Sequence, residues 1–500
     1  MAALEAVDPY EPMEDVDLTA APAVGARLGL ATKMSYGLGS VAFGVASQAL
    51  STAIISQYLF IVIGIPSLLI GAAIMISQIV DAFADPILGQ WSDSVRTPWG
   101  RRHPFMYAAA IPGALAFWAL WHPPTGWSAQ SLFVYMVAVL VVVRFFNAMY
   151  EIPSSALTPE LAPDYHDRTS LIAWRWVFGV AGATVMTTLL NVVYLRHDAT
   201  HKLGILNRAG YGQWGTLAAG AILVSILISS LATHRYIPRL NIPPVRHVGP
   251  IVALKEVVAA LSNKSLVALM TSGLFSAIAS GVTATMNPYL YLYFWGLSPQ
   301  MVGLLTLAGL PAILAGAALA PMVSRRFGKK TTMITLFAVS LFTSLLPIGL
   351  RLLGLMPPNG SPWLAPILIA DASLAAILGL MGFIIVGSMV SDVVEDNAVR
   401  TGVRSEGLVF AANGLIPKIS GGIGAFGGSA IIALVHMPSH AQQGTVGPAL
   451  LHQLGLIYLP VSAVMNGLAI AVLIFYRIDQ AAHERNLALL AARGDKAAAA

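Results

Sequence analysis

IMISQIVDAFADPILGQWSD, residues 74–93, continues an apolar run that starts near Leu68 and carries no charge before Asp81. The run is long enough to span a bilayer as a helix, which takes about 20 apolar residues. It holds two acids, Asp81 and Asp85. An ionised carboxylate near the bilayer centre costs roughly 2.5–3.5 kcal/mol. Four residues apart on a helix, the two share a face, so their repulsion adds to that cost. A cation, a proton or a basic partner must compensate, and the spacing points to ion-coupled work rather than structure. Pro86 removes the hydrogen bond that would reach the carbonyl of Ala82, and freed oxygens beside carboxylates suit Na⁺.

The rest of the chain fits this reading. Of 500 residues 57% are hydrophobic and only 10% charged, against about 25% charged in soluble domains. Twelve apolar spans are expected, at about 34–63, 68–92, 104–121, 131–152, 169–195, 214–234, 264–294, 300–323, 331–354, 364–391, 406–435 and 450–477. The expected fold is all-α and integral to the membrane, because continuous apolar spans favour a helix bundle over a barrel. Residues 1–30 read as a disordered tail, with six acids and no base before Arg27, unlike a secretory leader. There is no cysteine, hence no disulfide or thiolate metal site.

With both termini inside, 21 of the 28 Lys and Arg fall in cytoplasmic segments and 4 in external loops. That asymmetry sets the expected orientation, with the plasma membrane, a bacterial inner membrane, as the location. It also accounts for the net charge of +5 without any nucleic-acid surface. The Pro-rich, basic segment 235–263 divides the spans into halves 31–234 and 264–477, followed by a tail at 478–500. Gly100-Arg101-Arg102 follows span 2, and Arg325-Arg326-Phe327-Gly328-Lys329-Lys330 follows span 8. Matching Gly-basic turns in matching places are the signature of major facilitator transporters, in which two pseudo-symmetric six-helix bundles rock about a midplane site.

Further charged residues stand in or beside the apolar spans. Glu151 closes span 4 just before Pro153 and Pro159, which are expected to end or kink the helix; the acid is either an interface charge or a buried ligand. Arg175 lies between Trp174 and Trp176, and either snorkels to the inner surface or faces the bundle to meet Glu151 or a solute. Lys418, deep in span 11, is the natural counter-charge for the acids of the other half, with Asn413 nearby. Asn287 before Pro288 marks an expected helix break. Asp371 lies near the external end of span 10, with no role. Asp93, Arg101, Arg102, Arg168, Asp392, Glu395 and Arg404 at the inner ends form an expected gate, pairing across the halves when the protein opens outward. Single exposed pairs contribute at most about 1 kcal/mol, so a network is needed.

Four blocks together resemble the glycoside-pentoside-hexuronide:cation symporters, typified by the melibiose permease. They are TKMSYGLGS at 32–40, DAFADPILGQWSDSVRTPWGRRHPF at 81–105, EIPSSALTPELAPDYHDRTSLIAWRW at 151–176 and MVSDVVEDNAVRTGVRSEGLVFAANGLIPK at 389–418. The resemblance implies that Asp81, Asp85 and Glu151 form the cation site. It also implies a substrate site of Glu151, Arg175, Lys418, Asn413, Gln78, Tyr150 and Trp174. The chain departs from the pattern in several places. Gly44 stands where the melibiose permease has a sugar-binding Asp, Gln78 where it has an Arg, Ser155 where it has a stacking Trp, and Asn413 where it has a Gln. Lost hydrogen-bonding groups change specificity most, which argues against a simple galactoside. Ala84 replaces an Asn, removing one oxygen ligand and tilting the ion from Na⁺ toward H⁺; close carboxylates raise each other's proton affinity.

The function expected is Na⁺- or H⁺-coupled symport of a glycoside-like solute by a monomer in the lipid bilayer, without cofactor. A larger amphipathic solute, lysolipid-like or glycosylated and apolar, is the alternative; a non-transporting membrane sensor is the other. Enzyme signatures are absent: no nucleophile elbow, no P-loop and no His cluster with metal spacing.

Overall fold

A computed structural model describes residues 28–162, 165–196, 204–239, 263–401, 406–439, 441, 444–478, 481–486 and 489, with the side chains of 406–413 among those excluded. The acidic tail and most of segments 235–263 and 478–500 therefore lie outside it. Among the described residues there is no strand. Those residues include eleven helices long and apolar enough to cross a membrane, and one bent pair that makes a twelfth when taken as a single span. They are α1 (Leu30–Ala49 with Thr52–Ile63), α2 (Ser67–Ser94), α3 (His103–Trp121), α4 (Ala129–Leu161), α5 (Asp167–Tyr194), α6 (Arg208–His234), α7 (Lys264–Phe294), α8 (Pro299–Phe327) and α9 (Lys329–Leu352), then α10 (Leu364–Thr401), α11 (Glu406–Leu434) and α12 (Pro448–Leu473). The protein is thus a multi-pass, all-helical membrane protein.

Local chemistry sets the boundaries. Ser128, Asn207, Asn263 and Ser298 accept hydrogen bonds from backbone N–H groups in the first turns of α4, α6, α7 and α8, as N-caps do. Gly100 and Gly328 both take positive φ, +74° and +76°, which a residue with a Cβ rarely adopts. The two Gly-basic turns thus share a glycine of positive φ.

The structure defines where these spans break. The first span is not one rod: its two pieces meet at 50°, where Ser51 adopts an extended conformation. α4 runs through Pro153 to Ala156, breaks at Leu157 and ends in a single turn, Thr158–Leu161, that holds Pro159. α7 also continues through Pro288 before a π-helical end at Leu290–Phe294. In these helices proline removes one hydrogen bond without stopping the chain, as neighbouring helices permit in a membrane.

The halves meet through α11, which packs along α7 of its own half and α2 of the other. Gly281 and Gly424 make the α7–α11 contact close: a Cβ on either would lie 2.2–2.3 Å from the other helix's carbonyl oxygen. Away from the Gly-basic turns, at what we call the far end, the halves are in contact. The Ser56 and Tyr289 hydroxyls are 3.3 Å apart, Phe60 meets Tyr289 edge-on, Gly71 abuts Ser429, and Gly303 abuts Asn191. Cavities lined by charged residues lie on the basic side of these contacts.

Candidate functional site

Asp81 lies midway along α2 and Asp85 one turn nearer the basic end. Lys418 of α11 joins them: its Nζ donates to Asp81 Oδ2 at 2.8 Å and to Asp85 Oδ2 at 2.5 Å. Arg144 of α4 approaches the same Asp81 oxygen at 3.6 Å, while its Nε donates to Ser77 Oγ at 3.2 Å. Two acids therefore face two bases, which removes the repulsion that the α2 sequence alone implies. The acids differ in access: the Asp81 side chain is 10% exposed and that of Asp85 34%. Both border a cavity of about 420 Å³ with Arg144, Glu151, Gln78 and Lys418.

Glu151 and Arg175 form a second node on that cavity. Arg175 pairs with Glu151 and donates to Ser154 Oγ at 2.7 Å and Tyr36 Oη at 3.2 Å. The Tyr36 hydroxyl in turn donates to the Ser154 carbonyl at 2.5 Å. Of the two readings of Arg175, the structure takes the inward one: the residue is buried. Glu151 borders the same cavity as Asp81 and Asp85, but its ion-pair partner is Arg175. One Glu151 oxygen, Oε2, is buried with no hydrogen-bond partner. A second chamber of about 660 Å³ continues from here past Ser40, Phe43, Ser155 and Arg168.

The other expected substrate residues divide. Gln78 lines the acid-bearing cavity and a third chamber beyond it. Tyr150 is fully buried, with its hydroxyl pressed against Gly39 of α1 and Ser229 of α6, so it turns away from the cavities. Trp174 packs on Gly37 and Phe178, and Trp176 borders the second chamber instead. The Asn413 side chain lies outside the described residues, as does Arg404. Asp371 sits two turns into α10 at the far end, and no role emerges.

At the basic end the expected gate residues pair within their own halves. Arg102 meets Asp93 at 2.5 Å, and Arg101 donates to Glu160 Oε1 at 2.6 Å, with Arg102 on the same oxygen at 3.3 Å. Lys329 Nζ holds both oxygens of Asp392, at 2.6 and 2.7 Å. His483 Nδ1 approaches Glu395 at 3.0 Å and Asp392 at 3.4 Å. Arg168 donates to the Ala162 carbonyl at 3.5 Å.

Sequence reasoning gave no role to Arg144, Tyr36, Glu160 and His483. An Arg amid AVLVVVRFFNA was a signal for the first. Nothing local marked Tyr36 or Glu160, and His483 meets Asp392 only because the chain folds back. Gly44 is explained by packing: a Cβ there would lie 2.0 Å from the Gly179 carbonyl oxygen, so α1 and α5 leave no room for a carboxylate.

Two six-helix halves in contact at one end, with charged residues of both halves meeting midway along their helices, have the architecture of a membrane transporter rather than an enzyme. The chain matches the model of the MFS/sugar transport protein family over residues 35–480 and belongs to that family, the group of glycoside-pentoside-hexuronide symporters. It is 24% identical to the isoprimeverose transporter of Lactiplantibacillus pentosus, with 90% of this chain and 88% of that one covered. It is also 24% identical to the glucuronide carrier protein homolog of Escherichia coli, with 80% and 82% covered. Among solved structures, the inward-open xylose transporter XylE of E. coli aligns with a TM-score of 0.59 at 13% identity, covering 90% of this chain and 96% of that one. That likeness concerns the fold alone.

Proposed function

We propose that the protein is a cation-coupled symporter that carries a glycoside-like solute by alternating access, as a monomer in a bacterial inner membrane with both termini cytoplasmic. The basic end is then the cytoplasmic one, and the structure is an inward-facing state. The observation that carries the reading is Lys418 of one half seated between Asp81 and Asp85 of the other. Lys418 acts as a tethered substitute for the coupling ion. Na⁺ or H⁺ enters from the cavity at Asp85, the more exposed acid, and displaces the ammonium. A displaced Lys418 needs new acceptors, because an unsatisfied ammonium at this depth is costly. Sugar hydroxyls, held also by Glu151 and Arg175, supply them. Ion and solute thereby depend on one another, and the loaded or the empty protein swings while the ion-only form does not.

A membrane potential of 100 mV contributes about 2.3 kcal/mol per charge, enough for about fiftyfold accumulation. The reading is supported by the sugar-type family and by relatives named for an isoprimeverose transporter and a glucuronide carrier. Its test is uptake of labelled glycosides and uronides into proteoliposomes under an imposed Na⁺ or pH gradient. Accumulation driven by one gradient assigns the ion. Equal uptake with and without both gradients overturns the coupling.

A further inference from the structure

The third chamber, about 610 Å³, lies mostly in the C-terminal half among α7, α9, α10, α11 and α12, with Thr52 of α1 and Gln78 of α2 on one side. Among the described residues no ionisable side chain borders it, whereas Asp81, Asp85, Arg144, Glu151, Arg168, Arg175 and Lys418 each border one or both of the other two. Its wall on α9 and α10 is mostly apolar, with Leu336, Phe337, Leu378 and Phe383 beside Ser340, and it carries the uncharged polar groups of Ser272, Ser276 and Ser280 on α7 and Asn466 on α12. Gln78 and Pro417 border both this chamber and the acid-bearing cavity, so the two are neighbours across one wall.

Two glycines in that wall face open space, as several other helical glycines do, but these two border the chamber. Small residues in membrane helices usually permit close approach, and Gly281, Gly424 and Gly428 do so, each with a neighbouring atom within 2.7 Å of an added Cβ. Gly273 of α7 and Gly379 of α10 do not: an added Cβ would meet nothing within 4 Å, and neither has the positive φ that favours glycine. Glycine inside a helix is unfavourable relative to alanine. No packing contact and no backbone conformation demands it at these two places. What the missing side chains leave is open volume in the chamber.

Resting on the symport reading above, we propose that this chamber is an aglycone subsite. The solute is a glycoside whose sugar is held by Glu151, Arg175 and Lys418 and whose uncharged, apolar substituent lies in the C-terminal half, with Gly273 and Gly379 setting the size it accepts. A free sugar or a small methyl glycoside fills only the charged side. Binding pockets run roughly 300–1,000 Å³, so each chamber suffices for one part of such a molecule.

The test is competition and uptake in proteoliposomes with matched methyl and phenyl glucosides, galactosides, xylosides and glucuronides. It compares wild type with Gly273→Leu and Gly379→Leu, and with the milder Gly273→Ala and Gly379→Ala. In wild type the phenyl member of the recognised pair is expected to bind at least about tenfold more tightly than the methyl member, the scale on which pocket contacts discriminate. The Leu variants are expected to lose that preference while methyl-glycoside uptake stays within about twofold of wild type, which also serves as the control for folding. The Ala variants fall between. If the phenyl preference is absent in wild type, or persists undiminished in Leu variants that still carry the methyl glycoside, the subsite is wrong while symport stands. If wild type accumulates no glycoside under any gradient, the reading beneath it is wrong as well.

Discussion

Lys418 Nζ and Asp81 Oδ2 lie 2.8 Å apart although 337 residues separate them in the chain. The contact ties α11 of the C-terminal half to the centre of α2 in the N-terminal half. A charged pair at such a seam has two states, made and broken, which is what a rocking mechanism needs.

Asp85→Asn and Asp81→Asn are therefore expected to abolish concentrative uptake. The ratio of internal to external solute should fall from about fiftyfold at 100 mV to one. Solute exchange at equal concentrations should survive better in Asp85→Asn, because Asp81 still engages Lys418 and Arg144. Counterflow measured beside gradient-driven uptake separates the two effects. Wild-type accumulation in either variant would dissociate the acids from coupling.

Lys418→Gln should lower the melting temperature in detergent, since it leaves Asp81 to Arg144 alone and Asp85 without its ammonium. Removing one partner of an engaged pair costs more than removing both. The double variant Asp85→Asn/Lys418→Gln should thus be less destabilised than the sum of the singles, with a coupling of about 0.5–3 kcal/mol. Strict additivity would mean that the pair contributes nothing.

Arg175 serves three partners at once, Glu151, Ser154 and Tyr36, through a planar fork that lysine lacks. Arg175→Lys is accordingly expected to reduce solute affinity by more than about tenfold despite keeping the charge. Tyr36→Phe should reduce it only a few-fold, since one hydrogen bond contributes about 1 kcal/mol. Binding titrations on purified protein check both, and equal effects would show that charge alone matters at this node.

Because the chain has no cysteine, single introduced thiols report accessibility without background. Ser155→Cys, on the chamber wall and exposed, should react with a membrane-impermeant reagent from the basic end. Ser429→Cys, buried against Gly71 where the halves touch, should not react from either side in the absence of solute. Ion and solute together should reverse the pattern. Reaction of Ser429→Cys in the empty protein would mean that the far end is open.

Much of this was legible in the chain. Span positions followed from the length and polarity that a bilayer imposes, and Lys418 could be matched to the α2 acids because an unpaired charge there is too costly to leave. What was hidden depends on the third dimension. The bend in α1 at Ser51 leaves the apolar pattern unbroken. Tyr150 and Tyr36 lie on the same helices as cavity residues, yet one faces the α1–α6 seam and the other holds Arg175. The expected gate charges were visible by sign, but Glu160 and Lys329, their partners within each half here, were not.

Gly44 offers a final test of packing against specificity. The resemblance places a sugar-binding Asp at this position in the melibiose permease, which makes Gly44→Asp the obvious design for restoring galactoside recognition. The geometry opposes that design. Any Cβ at residue 44 would lie 2.0 Å from the Gly179 carbonyl oxygen and 3.0 Å from its Cα, and backbone cannot move aside as a flexible side chain can. Overpacking typically costs about 1–3 kcal/mol. Gly44→Ala should already lower the melting temperature, and Gly44→Asp should lower it at least as far without gaining galactoside uptake. Were Gly44→Asp to melt like wild type and carry galactosides, the α1–α5 spacing would be adjustable, and the missing carboxylate would be a choice of substrate rather than a consequence of how the two helices cross.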